Sequence, residues 1–336
     1  MCYALNRRLP GFSGDSVRVF LVNLRAGDMV NFTFADNVKG YSSPVVPDIV
    51  HFVFLGNRPL TLVDAISIRA AWLQKRPRRL VLHCQNCSAL SLSFHWALVE
   101  RIPGLDIRHI EVPEADSSVR YTDAELTPLL ALTVLLAEGG IYVDRDTYLM
   151  SNADVYRRFE MSLALPQHGQ VRTELIVAHR NARLLRLLLN GYRRLFSQPG
   201  GPQPTELFSR MDKVLPANFS SMSLFHHIPV TVKDAITRGN SIEFSSPETA
   251  RMLYAATCDD SWRHLAAVSL MTGSAEQMTE TRGEPPVNLA AIALSRTNLG
   301  QMARLALSGT TAVGETRIGH VSDISVLQYA EDPCKF

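Results

Sequence analysis

The 336-residue sequence predicts an α/β fold built on a mostly parallel sheet with helices on both faces. Two kinds of segment predict it. Ile49-Val50-His51-Phe52-Val53-Phe54-Leu55 and Leu80-Val81-Leu82 are near-continuous apolar runs, the pattern of strands buried on both faces. Between them, Leu62, Ala65, Ile66, Ala70 and Leu73 recur at helical spacing, giving strand, helix, strand. Such alternation makes crossover connections and places ligands at the carboxyl ends of the strands.

The first strand opens at Pro47 and is closed by Gly56-Asn57. Ser91 to Arg101 reads as a helix stopped by Pro103-Gly104, and Ile107 to Val112 as a strand. Thr127 is placed to cap a helix whose first turn holds Pro128, and Leu129 to Ala137 is apolar nearly all round, so that helix is buried. Gly139-Gly140 ends it, Ile141-Tyr142-Val143 is a short buried strand, and Asp144-Arg145-Asp146 follows at once. Further strands are expected over Arg158–Leu165 and Leu175–Ala178. A helix is expected over Asn181–Phe196, with Leu184, Leu185, Leu188 and Leu195 inward, and another over Leu299–Ser308. Pro199-Gly200-Gly201-Pro202 reads as a loop.

Composition excludes several classes. With 34 basic against 32 acidic side chains the formal charge is +2, too small an excess for sequence-independent nucleic-acid binding. Leu129–Ala137 is roughly half the ~20 residues that cross a bilayer, so no transmembrane segment is expected. Arg7, Arg8, Pro10 and Gly11 precede any apolar run, and no signal peptide is read. Five scattered cysteines argue against a disulfide scaffold; Cys84-x-x-Cys87, with His83 beside it, lacks the second ligand pair of a zinc site and reads as two ordinary thiols. Asn31, Asn86 and Asn218 head glycosylation-acceptor triplets, a slight lean towards a lumenal protein.

The chemistry is expected at Asp144 and Asp146. Along extended backbone these side chains point the same way, with Arg145 opposite. Two converging carboxylates suit a hard divalent cation, Mn²⁺ or Mg²⁺, which keeps open positions for a substrate diphosphate. The bland alternative is a solvated or capping acidic pair. His226, His227 and His264 are isolated candidates for a further metal ligand, Asp259-Asp260 reads as solvated, and Trp96 and Tyr142 are aromatic rings for stacking or, more simply, core packing.

Gly139 to Asp146 (GGIYVDRD), with the leucine-rich helix before it, resembles the signature of the DXD-containing sugar-binding glycosyltransferases of the family-32, α-1,4-glycosyltransferase-like type. Pro47–Gly56 is similar to that family's first strand, and Met161–Gln170 with Leu175–Leu195 to its segment after the motif. The resemblance implies a GT-A-like fold with a Rossmann-like nucleotide-binding half over residues 44–310, a 1–43 extension before it and a 311–336 tail after it. It also implies a nucleotide-sugar donor such as a UDP-sugar, Mn²⁺, retention of configuration, a glycan or glycolipid acceptor and the Golgi lumen. Asp144 and Asp146 would bind the metal and, with Gly139, Gly140 and Tyr142, the donor. The sequence departs from the family at Thr127-Pro128, where Ser-Asp is usual, at Ala131, where Arg is usual, and at Glu174, where Asn is common. Those departures make a catalytically inactive relative one alternative. Another is a haloacid-dehalogenase-type phosphatase, with Lys233 and Asp259-Asp260 in the supporting parts. No catalytic residue is assigned from the sequence.

Overall fold

The computed structural model describes residues 30, 39–112, 122–164, 172–196, 232–234, 242–243, 252–254, 261–270 and 288–313. The first half runs β1 (Ile49–Phe54), α1 (Leu62–Lys75), β2 (Arg79–Cys84), α2 (Cys87–Ser91), a 3-10 turn (Phe94–Leu98), β3 (Leu105–His109), α3 (Asp123–Glu138), β4 (Gly140–Val143) and β5 (Thr147–Leu149). There follow β6 (Met161–Ala164), β7 (Arg172–Ala178), α4 (Arg183–Phe196), β8 (Val232–Asp234), β9 (Ile242–Glu243), β10 (Ala267–Ser269), α5 (Leu289–Leu294) and α6 (Asn298–Ser308).

Among the described residues the main sheet has strand order β3-β2-β1-β4-β7-β6-β8. The β3-β2-β1-β4 block is parallel throughout, β7 runs antiparallel to both its neighbours, and β8 is parallel to β6. This is the α/β class and mostly parallel sheet that the sequence predicts. A small second sheet, β5-β10-β9, stands beside it.

Alternation along the strands explains the two cores. Val50, Phe52 and Phe54 of β1, Ile141 and Val143 of β4, and Leu175 and Val177 of β7 face α1 and α6. Val53 and Leu55, Tyr142, Ile176 and Ala178 take the other side, against Leu130, Ala131 and Leu135 of α3 and Leu184, Leu185 and Leu188 of α4. Strands buried on both faces are therefore apolar at consecutive positions. Buried Arg69 ties the first layer together, donating to Ala306 O and Leu307 O at 2.8 Å and Leu98 O at 2.9 Å, so it satisfies carbonyls at the end of α6.

Five expectations are corrected. α3 starts at Asp123, one turn ahead of Thr127: Leu126 N donates to Thr122 O at 3.1 Å, so Thr122 caps, while Thr127 turns its hydroxyl back to Asp123 O at 2.7 Å. The single helix over Ser91–Arg101 is two short pieces, because Ser93 interrupts it, accepting from His95 N at 3.2 Å and donating to Leu60 O at 2.6 Å. The strand expected over Ile107–Val112 is Leu105–His109, and Arg158 lies in a 3-10 turn, with β6 beginning at Met161. Cys84 and Cys87 are not free thiols but a disulfide; their Cα atoms, 5.1 Å apart, meet where β2 passes into α2.

The Pro199–Pro202 loop, His226, His227, Asp259, Asp260, Asn31 and Asn218 lie outside the described residues, as do nearly all of 1–43 and 311–336. No helix among the described residues is long and apolar enough to cross a membrane.

Candidate active site

The sheet order reverses between β1 and β4: from β1 the chain builds outward to β2 and β3, then returns to add β4 on the other side. At such a point the connections leave in opposite directions and a crevice opens beyond the strands' carboxyl ends. Asp144 stands at this end of β4, and Gly56-Asn57 at the same end of β1, with α1 starting just beyond.

The acidic segment is a turn, which corrects the extended reading of Asp144-Arg145-Asp146. Asp144 N still donates to Glu174 O at 2.8 Å, as the last rung between β4 and β7, but Thr147 N then donates back to Asp144 O at 2.9 Å. The reason lies one residue further: β5 pairs antiparallel with β10, in the second sheet, so the chain has to leave the first sheet at Asp144. The turn, rather than the pleat, sets how the two carboxylates are aimed.

Asp144 Oδ1 accepts from Arg145 N at 2.8 Å and from the Tyr142 hydroxyl at 3.2 Å. Burial raises its carboxyl above the usual range, and those two donors only partly offset the effect. Asp146 is anchored through its backbone, Leu270 N donating to Asp146 O at 2.7 Å, with Ser269 Oγ 3.4 Å from Oδ2. Burial first, then the charge of Asp144, pushes the Asp146 carboxyl up to about 7, and the charges of Glu174 and Asp64 act in the same direction. Burial likewise drives the Tyr142 hydroxyl upward, so it stays a hydrogen-bond donor at neutral pH.

Arg145 turns away from this pair. Its Nε and Nη2 meet Asp64 Oδ1 at 2.9 Å and Oδ2 at 2.8 Å, a two-pronged ion pair, and its guanidinium lies 5.3 Å over the Phe54 ring. Asp64, only 2% exposed, is itself fixed by a reciprocal cap at the start of α1: Thr61 N and Thr61 Oγ1 each reach Oδ2 at 2.7 Å, while Asp64 N donates to Thr61 Oγ1 at 3.2 Å.

The donor set consists of oxygens, which suits Mn²⁺ or Mg²⁺, and the mutual charge raising the Asp146 carboxyl is what a cation relieves. Among the described residues no group of three or more His, Cys, Asp or Glu is arranged to hold a metal. A cation held here would have two carboxylates from this pair, its other positions being left to water or substrate oxygens.

The remaining predicted residues fall as follows. Gly139 and Gly140 lie at the opposite end of β4 from Asp144, about 13 Å away at ~3.3 Å per residue. Their role there is one of close approach: a Cβ on Gly140 would meet Ile49 O at 2.6 Å and His51 Nε2 at 2.8 Å. Tyr142 is buried in the α3 layer, its ring packed and its hydroxyl holding Asp144. Trp96 packs against the α1 core and Ala131 is fully buried in the α3 layer. Lys233 lies in β8 and His264 in a 3-10 turn. Sequence reasoning missed Asp64, whose available signal was Thr61-x-x-Asp64 ahead of an apolar run, and it gave Arg145 no partner.

No protein-family model and no curated protein matches the sequence. Solved structures with a similar chain path include the PaToxG glycosyltransferase, at 15% identity and TM-score 0.37, over 58% of this chain and 78% of that one. Another is the WbbM bifunctional glycosyltransferase in its apo form, at 9% identity and TM-score 0.44, over 80% of this chain and 50% of that one. A third is the 4-diphosphocytidyl-2C-methyl-D-erythritol synthase of Anaerococcus prevotii DSM 20548, at 12% identity and TM-score 0.30, over 49% of this chain and 83% of that one.

Proposed function

We propose that the chain is a GT-A-like, metal-dependent glycosyltransferase. In this reading it moves a sugar from a nucleotide-sugar donor, a UDP-sugar in the first instance, to a glycan or glycolipid acceptor with retention of configuration. The observation that carries the proposal is the position of Asp144 and Asp146: two half-buried carboxylates, each raised chiefly by desolvation, where the strand beside the sheet's reversal point runs out.

Asp144 and Asp146 would hold Mn²⁺ or Mg²⁺. Such an ion, when bound, neutralises charge growing on a departing nucleoside diphosphate. The chain's own part is positional. Tyr142 and Arg145 N orient Asp144, Leu270 N anchors the turn at Asp146, and the Gly56-Asn57 loop follows β1 at the same end of the sheet. That loop is held by Gly56 N donating to Gln85 Oε1 and by Asn86 Nδ2 donating to Asn57 Oδ1, each at 2.9 Å. The likeness of Gly139–Asp146 to the DXD glycosyltransferases supports the same assignment. A lumenal compartment, the Golgi by that resemblance, accords with the Cys84–Cys87 disulfide, since oxidising compartments preserve such bonds.

The second reading, a relative that keeps the fold without turnover, is favoured by one observation. Position 131, where the family carries a nucleotide-contacting Arg, holds an Ala sealed in the apolar layer. The phosphatase alternative loses ground because Asp144 follows the fourth strand, not the first. A screen of nucleotide sugars for Mn²⁺-dependent nucleotide release, with Asp146→Asn as control, tests the proposal. Release by the parent alone supports transfer chemistry; donor binding with no release supports the inactive relative; equal release by both proteins removes Asp146 from the chemistry.

A further inference from the structure

Arg145 sits between two acids yet gives its guanidinium to a third. A cation placed in the middle of an acidic pair is the natural internal competitor of a metal: if its side chain folded back, Asp144 and Asp146 would be neutralised from within. Both carboxylates are close enough to support the charge of Arg145, whose guanidinium, though burial works against it, is held above its ordinary value by Asp64 first and by Asp144 and Asp146 after it. What keeps Arg145 away is geometric. Asp64 receives both Nε and Nη2, and it can do so in only one orientation, because Thr61 N and Oγ1 occupy the remaining side of Oδ2. The pair is nearly out of water, with side chains 21% and 3% exposed, so the attraction is little screened and the two prongs fix a direction as well as a distance.

We infer that Asp64 is a positioning residue for the cation site: by sequestering Arg145 at the start of α1 it leaves Asp144 and Asp146 free to take a divalent metal. The inference rests on the metal-binding reading of that pair and adds to it a residue 80 positions away in the chain. Asp64 touches neither metal nor donor. It acts through Arg145, and its removal releases a guanidinium whose nearest remaining anions are the acidic pair.

The test is Mn²⁺ affinity, measured without donor by the loss of the free-ion electron paramagnetic resonance signal, for the parent, Asp64→Asn, Arg145→Met and the double variant, with thermal unfolding recorded for each. Asp64→Asn is expected to weaken Mn²⁺ by at least about tenfold, because an unpaired buried cation seeks the closest anions. Arg145→Met is expected to bind at least as tightly as the parent, and the double variant to return to within about threefold of it, since no guanidinium remains to compete. A purely structural pair predicts the opposite order, with Arg145→Met and the double variant weakened as much as Asp64→Asn, and that result overturns the inference. Undiminished binding by Asp64→Asn also overturns it. If Asp64→Asn does not fold, the double variant decides: parent-like Mn²⁺ binding upholds the competition, and weakened binding refutes it. Failure of the parent itself to bind Mn²⁺ is a different result, which removes the metal-binding reading and this inference with it.

Discussion

His51 Nε2 donates to Gly139 O at 2.9 Å, and this one bond fixes the protonation of a buried pair. With Nε2 carrying the hydrogen, His51 Nδ1 must accept, and it does so from His83 Nε2 at 3.0 Å. Both rings resist a second proton. Burial, the largest cause in both, lowers His51 to about 4 and His83 to about 3, and the nearby charges of Arg79 and Arg108 act in the same sense. Glu138, bound by Arg79 at 2.7 Å and Arg108 at 2.6 Å, pulls His51 only partly back.

Acid sensitivity follows. The unfolded chain takes up these protons near pH 6.5 while the native chain resists until about pH 4, so native stability falls as the pH drops through that window. Between pH 7 and pH 5 the loss is about 2 kcal/mol per histidine at most, by proton linkage. Urea unfolding of the parent and of His51→Gln/His83→Gln at the two pH values checks it: the parent is expected to lose more stability than the variant. Parallel losses would show that the pair does not titrate this way.

Gly140→Ala is expected to be among the most damaging single-methyl additions. The backbone there has φ 124°, which by itself costs a side chain about 1–3 kcal/mol, and the added carbon would meet a backbone oxygen at 2.6 Å. Denaturant unfolding should register a loss of at least about 2 kcal/mol, and Asp144 should shift with the strand. A loss below about 0.5 kcal/mol would mean that β1 and β4 separate easily.

Metal binding at Asp146 should release a proton. With its carboxyl at about 7, the group is mostly protonated at pH 6 and mostly charged at pH 8, so Mn²⁺ affinity should fall about tenfold between pH 8 and pH 6. The sign for the metal-free chain is the reverse of the usual carboxylate case: a raised value makes the fold less stable as the pH rises through 7. Mn²⁺ should accordingly raise the unfolding temperature more at pH 8 than at pH 6, and calorimetry in two buffers of different ionisation heat should register the proton.

The Cys84–Cys87 bond closes a short loop whose intervening residues, Gln85 and Asn86, hold Gly56 and Asn57. Cys84→Ser/Cys87→Ser is expected to cost roughly 2 kcal/mol by the chain-entropy relation and to speed amide exchange at Gly56. Unchanged exchange there would mean that Gln85 and Asn86 hold the loop without the disulfide.

The sheet was legible because its strands are buried twice over. Phe52 to Phe54 and Ile141 to Val143 are apolar on both faces, and runs of that kind leave few alternatives. The start of α3 was misread because Thr127-Pro128 imitates a cap followed by a first turn, while Thr122, the actual cap, precedes a less apolar stretch. Asp144 and Asp146 stand out in the sequence by their place after a buried strand, but their turn does not, since it depends on β10, more than 120 residues onward. Asp64 and Arg145 illustrate the limit most clearly: they read locally as an ordinary helix-start acid and an ordinary turn arginine, and only the packing of α1 against β5, just after the turn, makes them a pair.

The most direct measurement is a calorimetric titration of UDP into the parent and into Asp146→Asn, each with and without Mn²⁺. The account predicts UDP binding by the parent that needs Mn²⁺ and falls at least about tenfold in the variant. Metal-independent binding, or identical heats from the two proteins, would contradict it.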